Sequence, residues 1–348
     1  MGEPLASRPT EVVAEKGKAM LPEKKWILDM TDGFRPTAVV GAAAELGLFD
    51  LIPDEGITIS ELACKANAAV RGIQVLADAL AALNVLEKRE DRYFVPAKLR
   101  PVLSENSPDT AIPMLRHRMS MMRGWSQLAW AAKAGFPAPK TSGIRGPDGD
   151  LQAFVLAMDV ISREVADDVV RQLLPLQFKK MLDVGAGPGT WTFAFLRAVP
   201  EARAILFDLP HAVSLARQKA EQAGLADRVE FVVGDFYRDE LPSGVDFVWV
   251  SAIAHQNSRE QNRELFRKVY RALEPGGQIA IRDIVMDPTR TAPVHGALFA
   301  INMLVNTPAG GTYTLDEYRE DLLAAGFSEP HLRIRTENMN SVILAHRR

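Results

Sequence analysis

The chain has 348 residues, of which 47% are hydrophobic and 24% charged, an ordinary composition for a globular protein with a sizeable core. At about 150 residues per domain, this length predicts two domains. The 41 basic and 44 acidic residues give a net charge of −3, so nothing attracts the whole chain to nucleic acid or an anionic membrane. We therefore expect neither of these as a partner.

The single cysteine, Cys64, excludes an internal disulfide framework and a cysteine-based zinc finger. It fits a reducing compartment and predicts a cytoplasmic location. Residues 1–25 lack the apolar segment of a signal peptide, so we expect a flexible leader. Residues 291–315 contain no Asp, Glu, Lys or Arg, but two asparagines, a proline and a glycine pair interrupt them, so no membrane span is expected.

Residues 26–108 are predicted to form short helices followed by a hairpin. Thr58 and Glu61 have the spacing of a capping box, which marks a helix start. Apolar residues then recur at spacings of three and four positions, at Ile73, Leu76, Leu80 and Leu83. This spacing predicts an amphipathic helix with one buried stripe. Two short strands are expected within residues 85–95. Helix, turn, helix and hairpin together are typical of a winged-helix module.

Many winged-helix modules bind DNA, and the charge of the second helix tests that role. Residues 58–88 contain three basic and three acidic residues, whereas a helix that reads a groove should be basic. Packing or dimerisation is therefore favoured. A winged-helix regulator is kept as the alternative of a different class.

The middle of the chain, residues 109–178, is predicted to be helical. Met122, Trp125 and Met158 are candidates for the wall of an apolar pocket, because methionine and tryptophan offer large, adaptable surfaces. Core packing is the simpler explanation of the same residues.

A second set of pocket candidates comes from a later helix. Asn302, Met303 and Asn306 fall at spacings that place them on one helix face, where they could supply polar anchors in an apolar pocket. A core helix that carries asparagines is the alternative.

Residues 179–348 change to an alternation of strands and helices. Strands are predicted at 181–184, 203–207, 229–233 and 245–250, and the last of these is an apolar run typical of a strand buried on both faces. This alternation predicts an α/β class with a doubly wound, Rossmann-like sheet.

A glycine-rich turn joins the first of these strands to its helix. Gly185, Gly187 and Gly189 allow close approach of the backbone to a ligand, and the helix N-terminus offers free N–H donors. A nucleotide-like cofactor is implied. Thr190 stands where a dinucleotide fingerprint needs glycine, and Asp183 would repel a pyrophosphate and suit a cationic group.

The next two strands also end in residues suited to a nucleoside. Asp208, followed by Leu209, lies at the distance from the glycines expected for a carboxylate that holds ribose hydroxyls. Gly234, Asp235 and Phe236 offer a carboxylate for an exocyclic amine and an aromatic face for a purine.

These motifs resemble those of the S-adenosylmethionine-dependent small-molecule O-methyltransferases of the plant caffeate and bacterial polyketide types. The resemblance to the cofactor motifs rests on residues 183–189, 208–210, 234–236 and 275–277. Residues 45–50 and the hairpin are similar to the family's dimerisation domain. Residues 123–125 and 157–159 are similar to its substrate-contacting helices.

The resemblance implies a homodimer that uses S-adenosylmethionine and releases S-adenosylhomocysteine. It assigns Asp208 to the ribose, Asp235 to the adenine amine, Phe236 to the adenine face, and the glycine loop to the methionine moiety. The candidate cofactor contacts are Asp183, Gly185, Gly187, Gly189, Asp208, Leu209, Gly234, Asp235, Phe236 and Ser251.

His255 follows the apolar strand at the edge of the sheet where such folds bind ligands. An imidazole can remove a hydroxyl proton near neutral pH, and the resemblance implies this role for His255, with Asp283 as its acidic partner. A capping histidine is the alternative.

The chain departs from the family pattern beside this histidine. Gln256 and Asn257 replace Asp and Trp, and Thr312 takes the place of a second acid. Methylation of carbon or nitrogen, or a relative that no longer transfers methyl, therefore stays open. The alternative of a different class is a winged-helix regulator that senses S-adenosylmethionine.

Other chemistries lack their motifs. The remaining histidines have no metal-like spacing, and no G-x-S-x-G elbow is present, so we expect neither a metal nor a hydrolase. The sequence predicts a cytoplasmic, homodimeric O-methyltransferase that acts on a hydroxyl of a small, aromatic or polyketide-like metabolite.

Overall fold

The computed structural model describes residues 20–348. Its N-terminal part is a helical unit with a small antiparallel sheet in the order β1–β3–β2. The elements of this part are α1 (Pro22–Thr31), α2 (Phe34–Glu45), α3 (Leu48–Leu51), β1 (Ile57–Thr58), α4 (Ile59–Lys65), α5 (Val70–Ala82), β2 (Glu87–Arg89), β3 (Arg92–Phe94) and α6 (Arg100–Leu103).

The predicted helix start and hairpin are both present in this unit. Thr58 Oγ1 accepts a hydrogen bond from the Glu61 backbone N–H, while the Glu61 carboxylate accepts one from the Thr58 N–H at 2.9 Å. Helix α5 buries Ile73 and Leu80, but Leu83 is 41% exposed because the helix ends one residue earlier. The buried stripe is therefore shorter than predicted.

The prediction of a flexible leader over residues 1–25 falls mostly on residues 1–19, which lie outside the described residues. For residues 22–25 the prediction is wrong, because they form the first turn of α1. Pro22 occupies the first turn, where its fixed φ suits a helix and its missing N–H is not needed, and Glu23 stands at the positive end of the helix dipole.

The middle region is helical, as predicted. Helix α7 packs against α2 on one side and α9 on the other. Arg123 links these helices, because its guanidinium lies 2.9 Å from the Glu45 carboxylate and 2.7 Å from that of Asp150. The helices are α7 (Ile112–Trp125), α8 (Leu128–Ala134), α9 (Gly146–Arg163) and α10 (Ala166–Leu173).

The C-terminal part is built on a seven-stranded sheet in the order β11–β12–β8–β7–β4–β5–β6. Its strands are β4 (Lys180–Val184), β5 (Arg203–Asp208), β6 (Val229–Val233), β7 (Val245–Ser251), β8 (Leu273–Asp283), β11 (His331–Ile334) and β12 (Ser341–His346). Strands β9 (Val285–Met286) and β10 (Tyr313–Thr314) form a separate parallel pair. The helices are α11 (Thr190–Ala198), α12 (Pro210–Gln222), α13 (Arg259–Ala272), α14 (Val294–Asn306) and α15 (Leu315–Ala324).

Five strands of the large sheet are parallel, which confirms the Rossmann-like prediction for β4 to β8. The other two strands differ, because β12 pairs antiparallel with β8 and β11 pairs antiparallel with β12. The sheet is therefore mixed at one edge.

Helices cover both faces of this sheet. Helices α10, α11 and α12 pack on one face, around Phe195 and Trp249. Helices α13 and α15 pack on the other, around Leu265 and Ile281. Because β4 to β7 are parallel, their carboxyl ends share one edge, where polar side chains can meet. No helix within residues 20–348 is both long and apolar enough to cross a membrane.

Candidate active site

The glycine loop follows β4 and turns tightly against packed neighbours. Gly185 and Gly189 have φ values of +67° and +85°, and a Cβ would lie 2.4 Å from Ile253 Cδ1 or 2.7 Å from Phe193 Cζ, respectively. A Cβ on Gly187 would meet no described atom within 4 Å, so this glycine faces open space. The loop thus presents bare backbone to a ligand, as the cradle for a cofactor requires.

Asp183, which we predict to contact the cofactor, lies in the interior beneath the glycine loop. Its carboxyl is 1% exposed and accepts a hydrogen bond of 2.6 Å from the Thr192 hydroxyl on α11. Burial raises the pKa of Asp183 to about 7, and the negative charge of Asp208 adds to the effect. The residue supports the loop from inside the protein, because the strand alternation turns it toward α11 rather than toward the open edge.

Asp208 lies at the end of β5, beside the glycine loop. Its Oδ2 accepts a hydrogen bond of 2.7 Å from Gly187 N, and its Oδ1 accepts one of 2.6 Å from Leu209 N. Burial raises the pKa of this carboxyl, while the two backbone donors act in the opposite direction. Its remaining lone pairs can accept ribose hydroxyl groups. The Leu209 side chain is 43% exposed, so only its backbone takes part in this contact.

The end of β6 supplies the third part of the predicted nucleoside pocket. A Cβ on Gly234 would lie 2.4 Å from the Phe207 ring, so only glycine fits there. Asp235 is 30% exposed, and its Oδ1 accepts a hydrogen bond from Tyr237 N at 2.9 Å. Phe236 lines a cavity of about 440 Å³ together with Tyr237, Gln256, Asn257, Gln261, Glu264, Leu265, Pro308 and Ala309. The cavity joins this strand end to the segment that follows His255.

Asn257, which replaces the family tryptophan, is fully buried and its amide is occupied. Its Oδ1 accepts a hydrogen bond from the Tyr237 hydroxyl, and its Nδ2 donates one of 3.0 Å to Asn262 Oδ1. The Tyr313 hydroxyl donates to its carbonyl. The sequence reasoning missed this network, because its members come from four separate segments.

His255 and Asp283 are brought together as predicted. His255 Nδ1 lies 2.9 and 3.0 Å from the two carboxylate oxygens, and the His255 backbone N–H donates to Oδ2 at 3.1 Å. The two residues are 9% and 1% exposed. A carboxylate beside Nδ1 favours the tautomer with its proton on that nitrogen, so the lone pair of Nε2 is left for another proton.

Thr312 lies in a loop that is hydrogen-bonded to the backbone of His255. Gly311 N donates a hydrogen bond of 2.8 Å to the His255 carbonyl, and a Cβ on Gly310 would lie 2.5 Å from the same oxygen. Arg290 donates to the Thr312 carbonyl at 3.0 Å. Thr312, a neutral residue, is 5% exposed in the loop that contacts His255.

Three of the predicted pocket residues form one hydrogen-bonded group. Trp125 Nε1 and Asn306 Nδ2 both donate to Asn302 Oδ1, each at 3.0 Å. Met303 is 5% exposed on the same helix. Met122 and Met158 are half-buried on α7 and α9.

Phe299 is a further wall residue that the sequence reasoning missed. Its ring stands 4.8 Å from the His255 imidazole in an edge contact, one helical turn before Asn302 and Met303. The same helical spacing that singled out the asparagines would have found it.

Ser251, at the end of β7, is paired with a residue that was not predicted. Its hydroxyl accepts a hydrogen bond of 3.0 Å from Arg282, which is 5% exposed and lies 4.3 Å above the Trp191 ring. Burial lowers the pKa of Arg282 to about 10. Ser251 can still donate its own proton to a cofactor. Across residues 20–348, no group of three or more His, Cys, Asp and Glu side chains is arranged to hold a metal ion.

Comparison with known families identifies two matching domains. A family described as "O-methyltransferase dimerisation domain" matches residues 28–99, and one described as "O-methyltransferase domain" matches residues 122–328. The second match covers more than half of the chain and includes the glycine loop, the strand ends and the His255–Asp283 pair.

Individual relatives extend over nearly the whole chain. A 3-hydroxy-5-methyl-1-naphthoate 3-O-methyltransferase from Streptomyces sahachiroi is 29% identical over 91% of this chain and 93% of its own length. The N,N-dimethyltransferase OxyT from Streptomyces rimosus is 28% identical over 89% of this chain and 92% of its own. The solved structure of human N-acetylserotonin methyltransferase in complex with S-adenosylmethionine has a TM-score of 0.79 and 25% identity, covering 95% and 99% of the two chains.

These matches confirm the predicted family, the α/β fold with an N-terminal dimerisation domain, and S-adenosylmethionine as the cofactor. The chain is a member of the S-adenosylmethionine-dependent O-methyltransferase family.

Proposed function

We propose that this enzyme transfers the methyl group of S-adenosylmethionine to a hydroxyl of a small aromatic or polyketide-like metabolite, with His255 as general base. The observation that carries this proposal is the His255–Asp283 contact at 2.9 Å, which leaves Nε2 free at the sheet edge that also bears the glycine loop and Asp208. This is the edge where open α/β sheets bind ligands.

The cofactor fits residues at three neighbouring strand ends. The backbone around Gly187 receives the methionine moiety, Asp208 accepts the ribose hydroxyls, and Asp235 and Phe236 receive the adenine. The open space at Gly187 and the cavity at Phe236 support these assignments. When bound, S-adenosylmethionine supplies an electrophilic methyl group on a positively charged sulfur.

The protein's part in the reaction is to position the acceptor and remove its proton. Nε2 of His255 accepts the hydroxyl proton as the oxygen becomes a nucleophile, and the carboxylate of Asp283 stabilises the resulting imidazolium. The edge contact with Phe299 holds the imidazole plane and keeps water from one side of it. Positioning of the acceptor provides a further share of the rate.

The wall formed by α14 next to His255 supports an aromatic acceptor with a polar substituent. Phe299 and Met303 supply apolar surface, while Trp125 orients the Asn302 amide. Asn302 Nδ2 has no hydrogen-bond acceptor in the described part of the chain, so it can donate to a carbonyl or phenolic oxygen of the acceptor. The naphthoate acceptor named for the Streptomyces sahachiroi relative is of this class.

The proposal is tested by titration calorimetry followed by a methylation assay. We expect S-adenosylmethionine and S-adenosylhomocysteine to bind and NADH not to bind. A panel of phenols and hydroxynaphthoates, assayed with mass spectrometry, should yield an O-methyl product. His255→Ala should bind S-adenosylhomocysteine normally and lose turnover by about 10²-fold or more. Unchanged turnover would contradict the role of His255.

Methylation of nitrogen is the second candidate, because a dimethyltransferase is among the relatives and Thr312 replaces an acid. An amine already carries a nucleophilic lone pair and needs no base before it attacks. In that case His255→Ala retains most of its turnover, and the product carries the methyl group on nitrogen.

We also propose a homodimer and a cytoplasmic location. Helix α1 exposes Trp26, Ile27 and Met30 at 62%, 49% and 61%, and it buries none of its residues within this chain. A second copy would cover this apolar face at the dimerisation domain. The single cysteine, Cys64, is exposed and supports a reducing compartment.

A further inference from the structure

A buried carboxylate on α9 joins the middle helices to the cofactor end of the sheet. Asp159 is 5% exposed, and its Oδ1 accepts a hydrogen bond of 2.6 Å from the Thr190 hydroxyl. Its Oδ2 accepts hydrogen bonds of 2.5 Å from both Lys219 and Arg163. Three donors from three helices therefore meet on one side chain.

Two of these donors lie on helices that begin beside the predicted cofactor site. Thr190 is the first residue of α11, directly after Gly189 of the glycine loop. Lys219 lies on α12, which begins at Pro210, two residues after the ribose-holding Asp208. Asp159 thus ties α9 to both helices that leave the predicted cofactor site.

The charge of Asp159 makes this contact strong. Burial raises the pKa of Asp159, but the hydrogen bonds from Lys219 and Thr190 lower it by more, so the pKa lies below its usual value. The side chain is therefore an anion at neutral pH. Charge-assisted hydrogen bonds in a partly buried place are stronger than neutral ones. Loss of the anion would leave Lys219, which is 25% exposed, without its partner.

The residue before Asp159 on α9 is Met158, a candidate for the pocket wall. A displacement of α9 would therefore act on the acceptor side and on the glycine loop together. Hydrophobic packing of α9 against its neighbours does not require a carboxylate at position 159. We therefore look for a separate role of the Asp159 carboxylate.

We propose that Asp159 is a positioning residue, which fixes the start of α11 and the glycine loop against α9 through Thr190 and thereby sets the affinity for the cofactor. The proposal rests on the assignment of this loop to the methionine moiety of S-adenosylmethionine. It does not depend on which atom of the acceptor is methylated.

The test compares variants by calorimetric titration with S-adenosylhomocysteine. Thr190→Val keeps the branched shape and removes the hydroxyl, and we expect the dissociation constant to rise roughly tenfold. Asp159→Asn replaces one acceptor oxygen by a donor that faces Lys219 and Arg163, and we expect a similar rise. Thr190→Ser keeps the hydroxyl and should restore affinity to within about twofold of the wild type.

A double variant separates positioning from a simple loss of stability. If Thr190 acts through Asp159, Thr190→Val combined with Asp159→Asn should bind no more than about twofold more weakly than Asp159→Asn alone. Additive losses would show that Thr190 contacts the cofactor independently and would overturn the proposal. The control is Asp168→Asn on α10, whose carboxylate pairs only with the exposed Arg171, and its affinity should not change.

Thermal unfolding of each variant completes the test. Asp159→Asn should lose affinity even at a temperature well below its melting point, where the protein is fully folded. Wild-type affinity in Asp159→Asn would overturn the proposal and leave O-methylation untouched. Absence of an O-methyl product from a wild type that binds S-adenosylhomocysteine would reject the proposed function and leave the role of Asp159 standing.

Discussion

His255 Nδ1 lies 2.9 Å from Asp283 Oδ1, although the residue that follows the histidine is Gln256 and not an acid. The carboxylate comes from the end of β8, the strand next to β7, whose end leads to His255. Adjacent parallel strands thus supply the two partners, so the pair does not depend on the sequence neighbour of the histidine.

Asp283→Asn tests the orientation of the base. The amide keeps the size of the side chain but presents a donor or a neutral oxygen to Nδ1, so the favoured tautomer and the imidazolium are both less stable. We expect kcat to fall by about 10²-fold or more. Titration with S-adenosylhomocysteine should give the wild-type affinity. Asp287→Asn is the control, because its carboxylate pairs with the exposed Arg335, and a loss of rate there would argue against a specific effect.

Asp208→Asn tests the ribose site. Its two carboxylate oxygens accept one backbone hydrogen bond each, from Gly187 and from Leu209, whereas an amide has one acceptor oxygen and therefore loses one of these bonds together with the charge that attracts hydroxyl donors. We expect the dissociation constant of S-adenosylhomocysteine to rise roughly ten- to a hundredfold. An unchanged constant would rule out the ribose role. Glu201→Gln, on the turn before β5 and exposed, should bind like the wild type.

Asp183→Asn tests the buried carboxyl beneath the glycine loop. Burial raises the pKa of Asp183 from 3.8 to about 7, so the folded protein binds a proton that the unfolded chain releases between these pH values. The free energy of unfolding of the wild type should therefore fall as the pH rises from 4 to 7, by up to roughly 4 kcal/mol from this group.

The asparagine variant cannot ionise and should lack this part of the pH dependence. Urea unfolding at several pH values measures both proteins. The difference in stability should move in favour of the variant as the pH rises. Parallel curves for the two proteins would mean that Asp183 keeps an ordinary pKa in the folded state.

Trp125→Phe tests the amide group in the acceptor wall. Phenylalanine keeps an aromatic ring but has no N–H to donate to Asn302 Oδ1. The Asn302 amide then keeps only one of the two donors described for its oxygen, Asn306 Nδ2, and is held less firmly, so we expect KM for the acceptor to rise about three- to tenfold with little change in cofactor affinity. Trp130→Phe is the matched control, because Trp130 is 54% exposed on α8. Equal effects of both changes would remove the specific role of Trp125.

Trp26→Glu combined with Ile27→Glu tests the apolar face of α1. Two charges on this face should prevent its burial against a second copy, so we expect analytical ultracentrifugation to show a dimer for the wild type and a monomer for the double variant. Val233→Glu, at an equally exposed position on the edge strand β6, should remain dimeric. A dimer in the double variant would place the interface elsewhere.

Local sequence rules predicted much of this structure because the forces involved are local. The Thr58–Glu61 capping box lies within one helical turn. The glycine loop between β4 and α11 has glycine at every second position, which indicates a tight turn. The positions of Asp208 and Asp235 at one edge of the sheet were predictable for a related reason, since each residue stands at or just after the carboxyl end of a parallel strand.

Contacts between distant segments were not predictable in this way. Arg282 meets Ser251 because β8 lies beside β7, and Asp159 meets Lys219 because α9 packs near α12. The antiparallel strand β12 has an apolar pattern that serves either strand direction, so its pairing with β8 could not be derived from residues 341–346 alone. The contact of Asp183 with Thr192 could not be derived either, because strand alternation, not proximity to the glycines, decides which way its carboxyl points.

The hydrogen bond from Gly311 to the His255 carbonyl has a consequence for the choice of acceptor. The loop that contains Gly311 directly continues from α14, which carries Phe299 and the two asparagines that we propose for the acceptor pocket, Asn302 and Asn306. An acceptor too wide for the pocket would push α14 outward and, through this loop, pull on the backbone of the base. Compounds that are too wide should therefore lower the turnover number as well as the binding affinity, so the enzyme selects acceptors by their width.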